Sequence, residues 1–446
     1  MKRDFLPRKV VLLGGARTPI GSFLGALRAA PAPRLAAAAA AGALQRSGVA
    51  PAEVQQCVVG QVVSSSQGKG AFRAALQRAG RHSRVCFCLH RERQLSYWPQ
   101  GSLFSGDFGS FGRDSSGLSY VAFASSLRCR RARQGGYTLG DGVLVDSLVF
   151  EGLRGSEHQQ LPGKWADAAA VQFGISREEC DNYAVQSFKR AADATSSGFF
   201  RLEGLLPFST AFTETPSQRA SGAAGSPQVP QLQQHQEQQR RAVAFRQRRQ
   251  QQQETSGLLQ HDEEVQRLSL DRLASANPVF GPEGLTTSEN AFNLSAGKAA
   301  SGCFSSTRET RRFEFHSGSG EVSLYASRIL AFADAAQADR DTSLALVAEQ
   351  AMVKALRRAG LERADLYEIH EVFAALPLLL MRRQGLCPSR VNLHGGAISL
   401  GHPLGMSGIR MVLSLTAALR ARELLYGCAV ICNGADAATA IVLEAL

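Results

Sequence analysis

A histidine held between two turn-forming residues is the first candidate for chemistry in this chain. His402 stands between Gly401 and Pro403, shortly before a helix that we predict to begin at Ser407. A stiff turn of this kind can hold an imidazole where it donates a hydrogen bond to a developing oxyanion or polarises a neighbouring thiol. Taken alone, a single histidine is more often structural, so both interpretations stay open at this point.

A cysteine near the C-terminus is the second candidate. Cys432 follows an apolar run typical of a buried strand, and the turn-forming pair Asn433-Gly434 comes next. A thiolate at such a strand end could act as a base or a nucleophile. The backbone N–H of Gly434 could approach a reacting group closely, because glycine has no side chain. A buried strand cysteine is usually inert, so the residue type alone does not decide between these interpretations.

The elements that must position these residues alternate between strands and helices. The capping-box pattern from Ser176 to Glu179 predicts the start of one helix, which ends near Gly198. Apolar residues at helical spacing predict further helices over residues 35–45, 344–359, 371–384 and 407–425. Apolar runs predict strands over residues 10–13, 427–431 and 439–443. This alternation is typical of an α/β fold, in which loops at strand ends carry chemistry.

Length and composition limit the class of protein. The chain has 446 residues, 44% hydrophobic and 20% charged, as in globular proteins with room for two domains. No run of about eighteen apolar residues is present, so no membrane-spanning segment is predicted. The nine cysteines are odd in number and scattered, which favours a reduced, intracellular protein. We expect a cytoplasmic or mitochondrial location, since no clear signal, transit or peroxisomal sequence is evident.

The net charge of +12 is concentrated in two unusual segments. Residues 81–136 carry nine arginines and three acidic residues, lack helical or strand periodicity, and look like translated non-coding or frame-shifted sequence. Residues 214–253 carry thirteen glutamines and few large apolar residues, which predicts a disordered surface insertion. The rest of the chain is nearly balanced in charge, so we expect neither a nucleic-acid nor a membrane partner.

Five segments together resemble the thiolase family. They are ARTPIGSFLGAL at 16–27, FGISREECDNYAVQSFKRAADATSSGFF at 173–200, HEVFAA at 370–375, NLHGGAISLGHPLGMSGIR at 392–410 and CNGADAATAIVLE at 432–444. Within the family they look most like acetyl-CoA acetyltransferases, which are acetoacetyl-CoA thiolases. The blocks GHPLGMSG and CNG, in this order, are the most specific part of the match. With this resemblance, the functional interpretation of His402 and Cys432 is favoured.

The resemblance implies a domain organisation. We expect a layered αβαβα fold of two similar halves with an inserted loop domain. The N-terminal domain would span residues 8–312 and the C-terminal domain residues 318–446. The loop domain would span residues 137–285 and contain the Gln-rich insertion. The family also implies a homodimer or a homotetramer.

The resemblance further implies the reaction. Two acetyl-CoA molecules would condense to acetoacetyl-CoA and CoA, or the reverse cleavage would run, through an acyl group carried on a cysteine. A second cysteine would exchange protons, and thiolates suit both roles. By position, Cys432 would be the acid/base cysteine, while His402 would activate the nucleophile and line an oxyanion hole. The N–H of Gly434 would serve a second oxyanion hole. Coenzyme A thioesters would be the substrates, with no metal or redox cofactor.

The nucleophile is where the chain departs most from the family pattern. The family carries it in a V-N-x-x-C-x-S-G elbow, and no such string is present. Cys88 is nearest in position, but Leu89-His90 follows it instead of a Ser-Gly turn. The pattern Cys86-x-Cys88-x-His90 has no second pair at zinc spacing, so we predict no metal site.

Two binding motifs are also altered. His370 stands where the family motif N-E-A-F has its Asn, which holds an oxyanion-hole water, and an imidazole can still form a hydrogen bond there. The family block T-A-G-N-A-S-x-x-N-D-G is matched around Asn290, Phe292 and Ser295. Phe292 replaces a small serine that touches the thioester arm of coenzyme A, so its ring would crowd that pocket.

Two other interpretations remain open. One is a catalytically inactive thiolase-like protein that acts in binding or as a scaffold, because the nucleophile elbow is missing. The other is a gene-model error over residues 81–136, in which case the native protein would be an ordinary thiolase; the abrupt change of composition at Arg81 and the family resemblance that resumes at Tyr137 favour this over an evolved loss.

Overall fold

The computed structural model describes residues 9–61, 86–91, 117–124, 162–210, 257–306, 327–336, 344–433 and 437–446. Within these ranges the protein is a mixed α/β structure built on one large sheet, which confirms the predicted fold class. The Gln-rich insertion at 214–253 lies outside the described residues. No helix within the described ranges is long and apolar enough to cross a membrane.

Eleven strands and nine α-helices are described. The strands are β1 Lys9–Arg17, β2 Val54–Gln61, β3 Cys86–Arg91, β4 Gly117–Ala124, β5 Phe208–Ser209, β6 Leu258–Leu259, β7 Lys298–Ser306, β8 Ser327–Ala336, β9 Leu366–Ile369, β10 Tyr426–Asn433 and β11 Ala437–Ala445. The helices are α1 Ala32–Ser47, α2 Pro162–Gln172, α3 Arg177–Ser196, α4 Phe199–Glu203, α5 Leu270–Ser275, α6 Leu344–Ala359, α7 Ala375–Gln384, α8 Ala397–Leu400 and α9 Ser407–Ala421.

Nine of the described strands form the main sheet, in the order β3-β2-β4-β7-β1-β8-β11-β10-β9. Strands β1 and β8 pair antiparallel and thereby join the N-terminal and C-terminal halves of the chain. Strands β9 and β10 run parallel, so their C-terminal ends lie at the same edge of the sheet. Loops that leave this shared edge are therefore brought together, and His370 and Cys432 both lie there.

Local signals placed several elements correctly. Helix α3 begins with the expected capping box, in which Ser176 Oγ accepts from the Glu179 N–H at 3.1 Å and Glu179 Oε2 accepts from the Ser176 N–H at 2.8 Å. Strands β1, β10 and β11 contain the predicted runs and extend beyond them. Helix α1 also contains its predicted run and ends at Gly48, whose left-handed backbone favours glycine.

Two predicted helix boundaries were wrong. The helix expected from residue 371 begins at Ala375, because Glu371 is drawn into buried hydrogen bonds described below. The helix expected to reach residue 425 ends at Ala421, and Glu423 adopts a left-handed φ of 54° where the chain turns. Residues 81–136, which lack helical or strand periodicity in the sequence, contain the described strands β3 and β4. The domain boundaries stay a prediction.

Buried side chains on the two faces of β10 belong to different parts of the core. Cys428, Val430 and Cys432 belong to one cluster of buried apolar residues, whereas Ala429 and Ile431 belong to another. This alternation follows from the two-residue period of a strand. Cys432 therefore faces the side of the sheet on which the cluster formed with helices α2, α3, α6 and α7 packs.

Candidate active site

Two buried imidazoles form the centre of the site. Nε2 of His370 lies 3.4 Å from Nδ1 of His402, and the ring centroids are 4.5 Å apart. Only 1% of His370 and 2% of His402 is exposed. Such burial decides their chemistry, because a charged imidazolium is costly where water cannot reach it.

Backbone hydrogen bonds hold both histidines in place. His370 comes directly after β9, and its N–H donates to the Val430 carbonyl on β10 at 3.0 Å. His402 lies in the turn between α8 and α9, and its N–H donates to the Asn293 carbonyl at 2.9 Å. The pair is therefore positioned by the sheet edge on one side and by the loop before β7 on the other.

Both imidazoles are neutral at physiological pH. Burial, together with the nearby Arg410 charge, lowers the pKa of His402 to about 3. Burial is also the largest cause that lowers the pKa of His370 well below its usual range, followed by His402 and Arg410. Nδ1 of His370 has no hydrogen-bond partner among the described residues. A neutral pair can donate and accept hydrogen bonds at a reacting oxygen without carrying charge.

Glu371 anchors the loop that carries His370, a role that no local sequence pattern indicates. Its carboxylate accepts hydrogen bonds from Tyr183 Oη at 2.9 Å and Ser187 Oγ at 2.8 Å, both on α3. It also accepts from Asn392 Nδ2 at 3.1 Å and from the Ile398 N–H at 3.2 Å. Four donors satisfy a carboxylate that is completely buried. The position of His370 therefore depends on helix α3.

A buried contact between an arginine and a glutamate lies behind the histidines. Nη1 of Arg410 on α9 lies 3.6 Å from Oε2 of Glu368 on β9, and neither side chain reaches solvent to any extent. Burial raises the pKa of Glu368 to about 8, although Arg410 acts in the opposite direction. The positive charge of Arg410 is thus one of the causes that lower the pKa of both histidines. The spacing of residues in the sequence could not predict this contact, because Arg410 lies on α9 and Glu368 lies on β9.

Cys432 lies at the end of β10, where it pairs with Ala438 of β11. Its side chain is only 4% exposed, and burial raises the pKa of its thiol to about 12. The group is therefore a neutral thiol until a substrate or a base reaches it. Gly434, expected to supply a backbone N–H nearby, lies outside the described residues.

The three residues expected to bind coenzyme A differ in what they contact. The Phe292 ring packs edge-on against His402 with centroids 4.8 Å apart. Asn290 instead bonds within its own loop and to α3: Oδ1 accepts from Thr287, and Nδ2 donates to Asp181 at 2.8 Å and to a backbone carbonyl. Ser295 is buried and donates to a neighbouring carbonyl at 2.9 Å. Of the three, Phe292 alone contacts the imidazole pair in the described hydrogen bonds and ring contacts.

Cys88 is not placed beside these residues. It lies in the middle of β3, where its backbone pairs with Val58 of β2, and β3 is the edge strand opposite β9. Six strands separate β3 from β10, so the distance along the sheet is on the order of 30 Å at roughly 4.8 Å per strand. The structure brings together His370, His402 and Phe292 near the strand end that carries Cys432.

A separate cavity of about 340 Å³ is lined by none of the site residues. It lies between the end of α3 and the segment after β6, with Arg201, His261 and Asp262 in its wall. Asp262 is already engaged there, since both its carboxylate oxygens accept from the buried Arg17 guanidinium. The cavity is therefore not part of the candidate active site.

Comparison with known proteins identifies two matching family models. "Thiolase, N-terminal domain" matches residues 10–89 and 123–220, and "Thiolase, C-terminal domain" matches residues 324–445. The N-terminal match is interrupted at residues 90–122, and this gap lies within the Arg-rich segment 81–136.

Several curated relatives match over nearly the whole chain. An acetyl-CoA acetyltransferase 2 of Arabidopsis thaliana is 32% identical over 99% of this chain and 98% of its own length. A cytosolic acetyl-CoA acetyltransferase of Gibberella zeae is 30% identical over 98% of both chains. A mitochondrial acetyl-CoA acetyltransferase of Rattus norvegicus is 30% identical over 98% of this chain and 91% of its own.

Solved structures share the fold. A human mitochondrial 3-ketoacyl-CoA thiolase in complex with CoA superposes with a TM-score of 0.75 at 26% identity, covering 99% of both chains. The Acat5 thiolase of Ascaris suum in complex with coenzyme A gives a TM-score of 0.77 at 24% identity, covering 98% of this chain and 100% of its own. Because the Ascaris suum protein is only 24% identical, its similarity supports the fold alone.

Proposed function

The chain belongs to the thiolase family, and on this premise we propose that it is an acyltransferase acting on coenzyme A thioesters. It would condense two acetyl-CoA molecules to acetoacetyl-CoA and CoA, or catalyse the reverse cleavage. The observation that carries this proposal is the neutral His370–His402 pair beside the strand end that bears Cys432. The names of the curated relatives support the choice of acetyl-CoA as substrate.

His402 acts in this proposal as a hydrogen-bond donor. Burial and the Arg410 charge lower the pKa of His402, so its imidazole is held neutral and can donate through an N–H. A neutral N–H directed at a thioester oxygen would stabilise the negative charge that develops there, at no desolvation cost during the reaction. Nδ1 of His370, which has no hydrogen-bond partner in the part of the chain that the structure describes, is available to hold a substrate atom or a water beside it.

Cys432 would exchange protons in two steps. Its thiol would first give a proton to the leaving CoA thiolate, when the acyl group has been transferred to the enzyme. The resulting Cys432 thiolate would take a proton from the methyl carbon of a second acetyl-CoA. The carbanion would then attack the acyl carbonyl, so that a C–C bond forms while the enzyme's C–S bond breaks and its sulfur leaves as a thiolate. The Gly434 N–H is proposed to stabilise the oxyanion of this second step.

Two parts of the proposal rest on the family pattern. Cys88 is proposed as the acyl-carrying nucleophile from its place in the sequence alone, because its side chain lies outside the described structure. Its strand lies on the order of 30 Å along the sheet from β10, and this position counts against the assignment. Assembly as a homodimer or homotetramer is likewise proposed from the family. Coenzyme A thioesters are the proposed ligands, and the proposed reaction needs no metal or redox cofactor.

A catalytically inactive thiolase-like binding or scaffold protein is the second candidate. One observation favours it: Cys88 lies within a regular strand at the far edge of the sheet and not in a tight elbow. Such a protein could bind coenzyme A thioesters without turning them over.

CoA-dependent cleavage of acetoacetyl-CoA by the full chain tests the proposal. We expect acetyl-CoA to form with the wild type, and the rate to fall at least about a hundredfold in His402→Ala and in Cys432→Ser. Cys387→Ala, at an exposed cysteine, is the matched control and should keep the wild-type rate. Binding of acetyl-CoA without cleavage, measured by calorimetry, would establish the inactive alternative. Neither binding nor cleavage by a folded chain would overturn both.

A further inference from the structure

A row of aromatic rings leads to the imidazole of His402. Phe280 packs edge-on against Phe373 with centroids 5.9 Å apart, and Phe373 packs against Phe292 at 6.3 Å. Phe292 in turn presents an edge-on contact to His402 at 4.8 Å. Phe292 is the last ring of this row, and it contacts the His402 imidazole directly.

Backbone contacts place Phe292 beside the strand end that carries Cys432. The Phe292 N–H donates to the Val372 carbonyl at 3.2 Å, and Val372 lies two residues beyond His370. His370 is bonded to Val430, and Cys432 lies two residues beyond Val430 on the parallel strand. Phe292 and Cys432 therefore flank the same short segment after β9.

Both reactive side chains are closed off from solvent in this arrangement. His402 is 2% exposed and Cys432 is 4% exposed, whereas Phe292 is partly exposed. Phe292 is thus the partly exposed member of the three, and its ring lies directly against the imidazole. A phenyl ring at this point occupies space that an acyl chain would need, because packed interiors leave few voids.

We propose that Phe292 determines which thioesters reach the site, by closing the approach to His402 and Cys432 against all but short acyl groups. The inference rests on the proposed function for its ligand class, coenzyme A thioesters. Phe292 acts here as a specificity-determining residue and takes no part in proton transfer. A smaller side chain at this position opens the approach and admits longer acyl chains.

Cysteine labelling tests the closure without requiring any activity. The full chain is treated with iodoacetamide, and labelling of each cysteine is followed over time by peptide mass spectrometry. Cys387 is exposed and serves as the internal reference, while Cys428 lies buried deeper on the same strand face as Cys432. In Phe292→Ala we expect Cys432 to be labelled at least about tenfold faster than in the wild type, with Cys387 and Cys428 unchanged.

Two control variants separate the ring's position from general loosening. Phe280→Ala removes another ring of the same row, one that packs on Phe373, and should leave Cys432 labelling at the wild-type rate. Phe292→Leu keeps much of the bulk and should also remain slow. Phe292→Val is smaller than leucine and should label Cys432 faster than the wild type, so it stands in for the alanine variant if that variant does not fold. Equal labelling of Cys432 in wild type and Phe292→Ala overturns the proposal, and so does faster labelling of Cys428 in parallel with Cys432.

Ligand binding tests the specificity. Acetyl-CoA and octanoyl-CoA are titrated by calorimetry into the wild type, Phe292→Ala and Phe280→Ala. We expect octanoyl-CoA to gain at least about tenfold in affinity in Phe292→Ala alone, which corresponds to roughly 1.4 kcal/mol. Faster Cys432 labelling without this gain overturns the specificity role. If no variant binds any coenzyme A thioester, the proposed function fails, and the labelling result still decides whether Phe292 closes the site.

Discussion

Ser407 Oγ lies 2.6 Å from Nδ1 of His402, across the turn that leads into helix α9. The same hydroxyl lies 3.5 Å from the Pro403 carbonyl, a much longer contact. We therefore assign the hydroxyl proton to the bond with Nδ1, which leaves the hydrogen of His402 on Nε2. The second ring nitrogen is then the one able to donate to a substrate oxygen.

Replacing Ser407 should impair His402 without removing it. In Ser407→Ala we expect kcat for acetoacetyl-CoA cleavage to fall about tenfold with KM nearly unchanged, because the ring loses the partner that sets its tautomer. Ser407→Thr retains the hydroxyl and should recover most of the rate. Steady-state kinetics on the three proteins measure this, and an unchanged kcat in Ser407→Ala would show that the bond is merely structural.

Glu371→Gln should destabilise the fold. The buried carboxylate accepts from four donors, including Tyr183 and Ser187 on α3, whereas a glutamine places an NH2 group against some of them. We expect a loss of about 3 kcal/mol in the free energy of unfolding, measured by urea denaturation. Glu362→Gln, at an exposed position, is the control and should change stability by less than about 0.5 kcal/mol. Equal effects in the two variants would argue against the anchoring role of Glu371.

Gly396 is required for a steric reason. A Cβ atom there would lie 2.6 Å from Oε2 and 2.7 Å from Oε1 of Glu371, which cannot move because it is buried. We expect Gly396→Ala to cost about 2 kcal/mol or more in unfolding free energy. Gly408→Ala is the matched control, since a Cβ there meets only Ile431 at 3.9 Å and lies in helix α9. That variant should be neutral or stabilising by up to about 1 kcal/mol, and a comparable loss in both would contradict the steric explanation.

Glu368 should make stability fall as pH rises. Burial raises its pKa from 4.5 to about 8, so between these values the folded protein holds a proton that the unfolded chain releases. Stability from this group is complete below pH 4.5 and is lost as pH rises through 8. In Glu368→Gln, urea denaturation across pH 5–8 should show a less negative slope than the wild type. Identical slopes would mean that Glu368 does not titrate in this range.

The sequence by itself determined the elements whose signals are local. The Ser176–Glu179 capping box spans four residues and was found in place, because both of its hydrogen bonds are made within one turn. The apolar runs of β1, β10 and β11 were recognised because a run of apolar residues is itself a local signal of a buried strand. His402 and Cys432 were identified from motifs of a few residues and a family resemblance, and the structure places them near the shared C-terminal edge of β9 and β10.

Only the tertiary structure decided the surroundings of these residues. Glu371 lies outside the predicted helix because its carboxylate is hydrogen-bonded to Tyr183 and Ser187. These partners lie more than 180 residues away in the chain, so local sequence could not predict the contacts. The expected contact of Asn290 with coenzyme A stays a prediction, whereas the bond from its amide to Asp181 could be seen only in the folded chain. The neutrality of the histidines likewise follows from burial and from Arg410, which meet only in the folded chain. Local sequence patterns predict contacts that form within one element. The burial and the charge of a site depend on segments that are far apart in the sequence, so no local pattern predicts them.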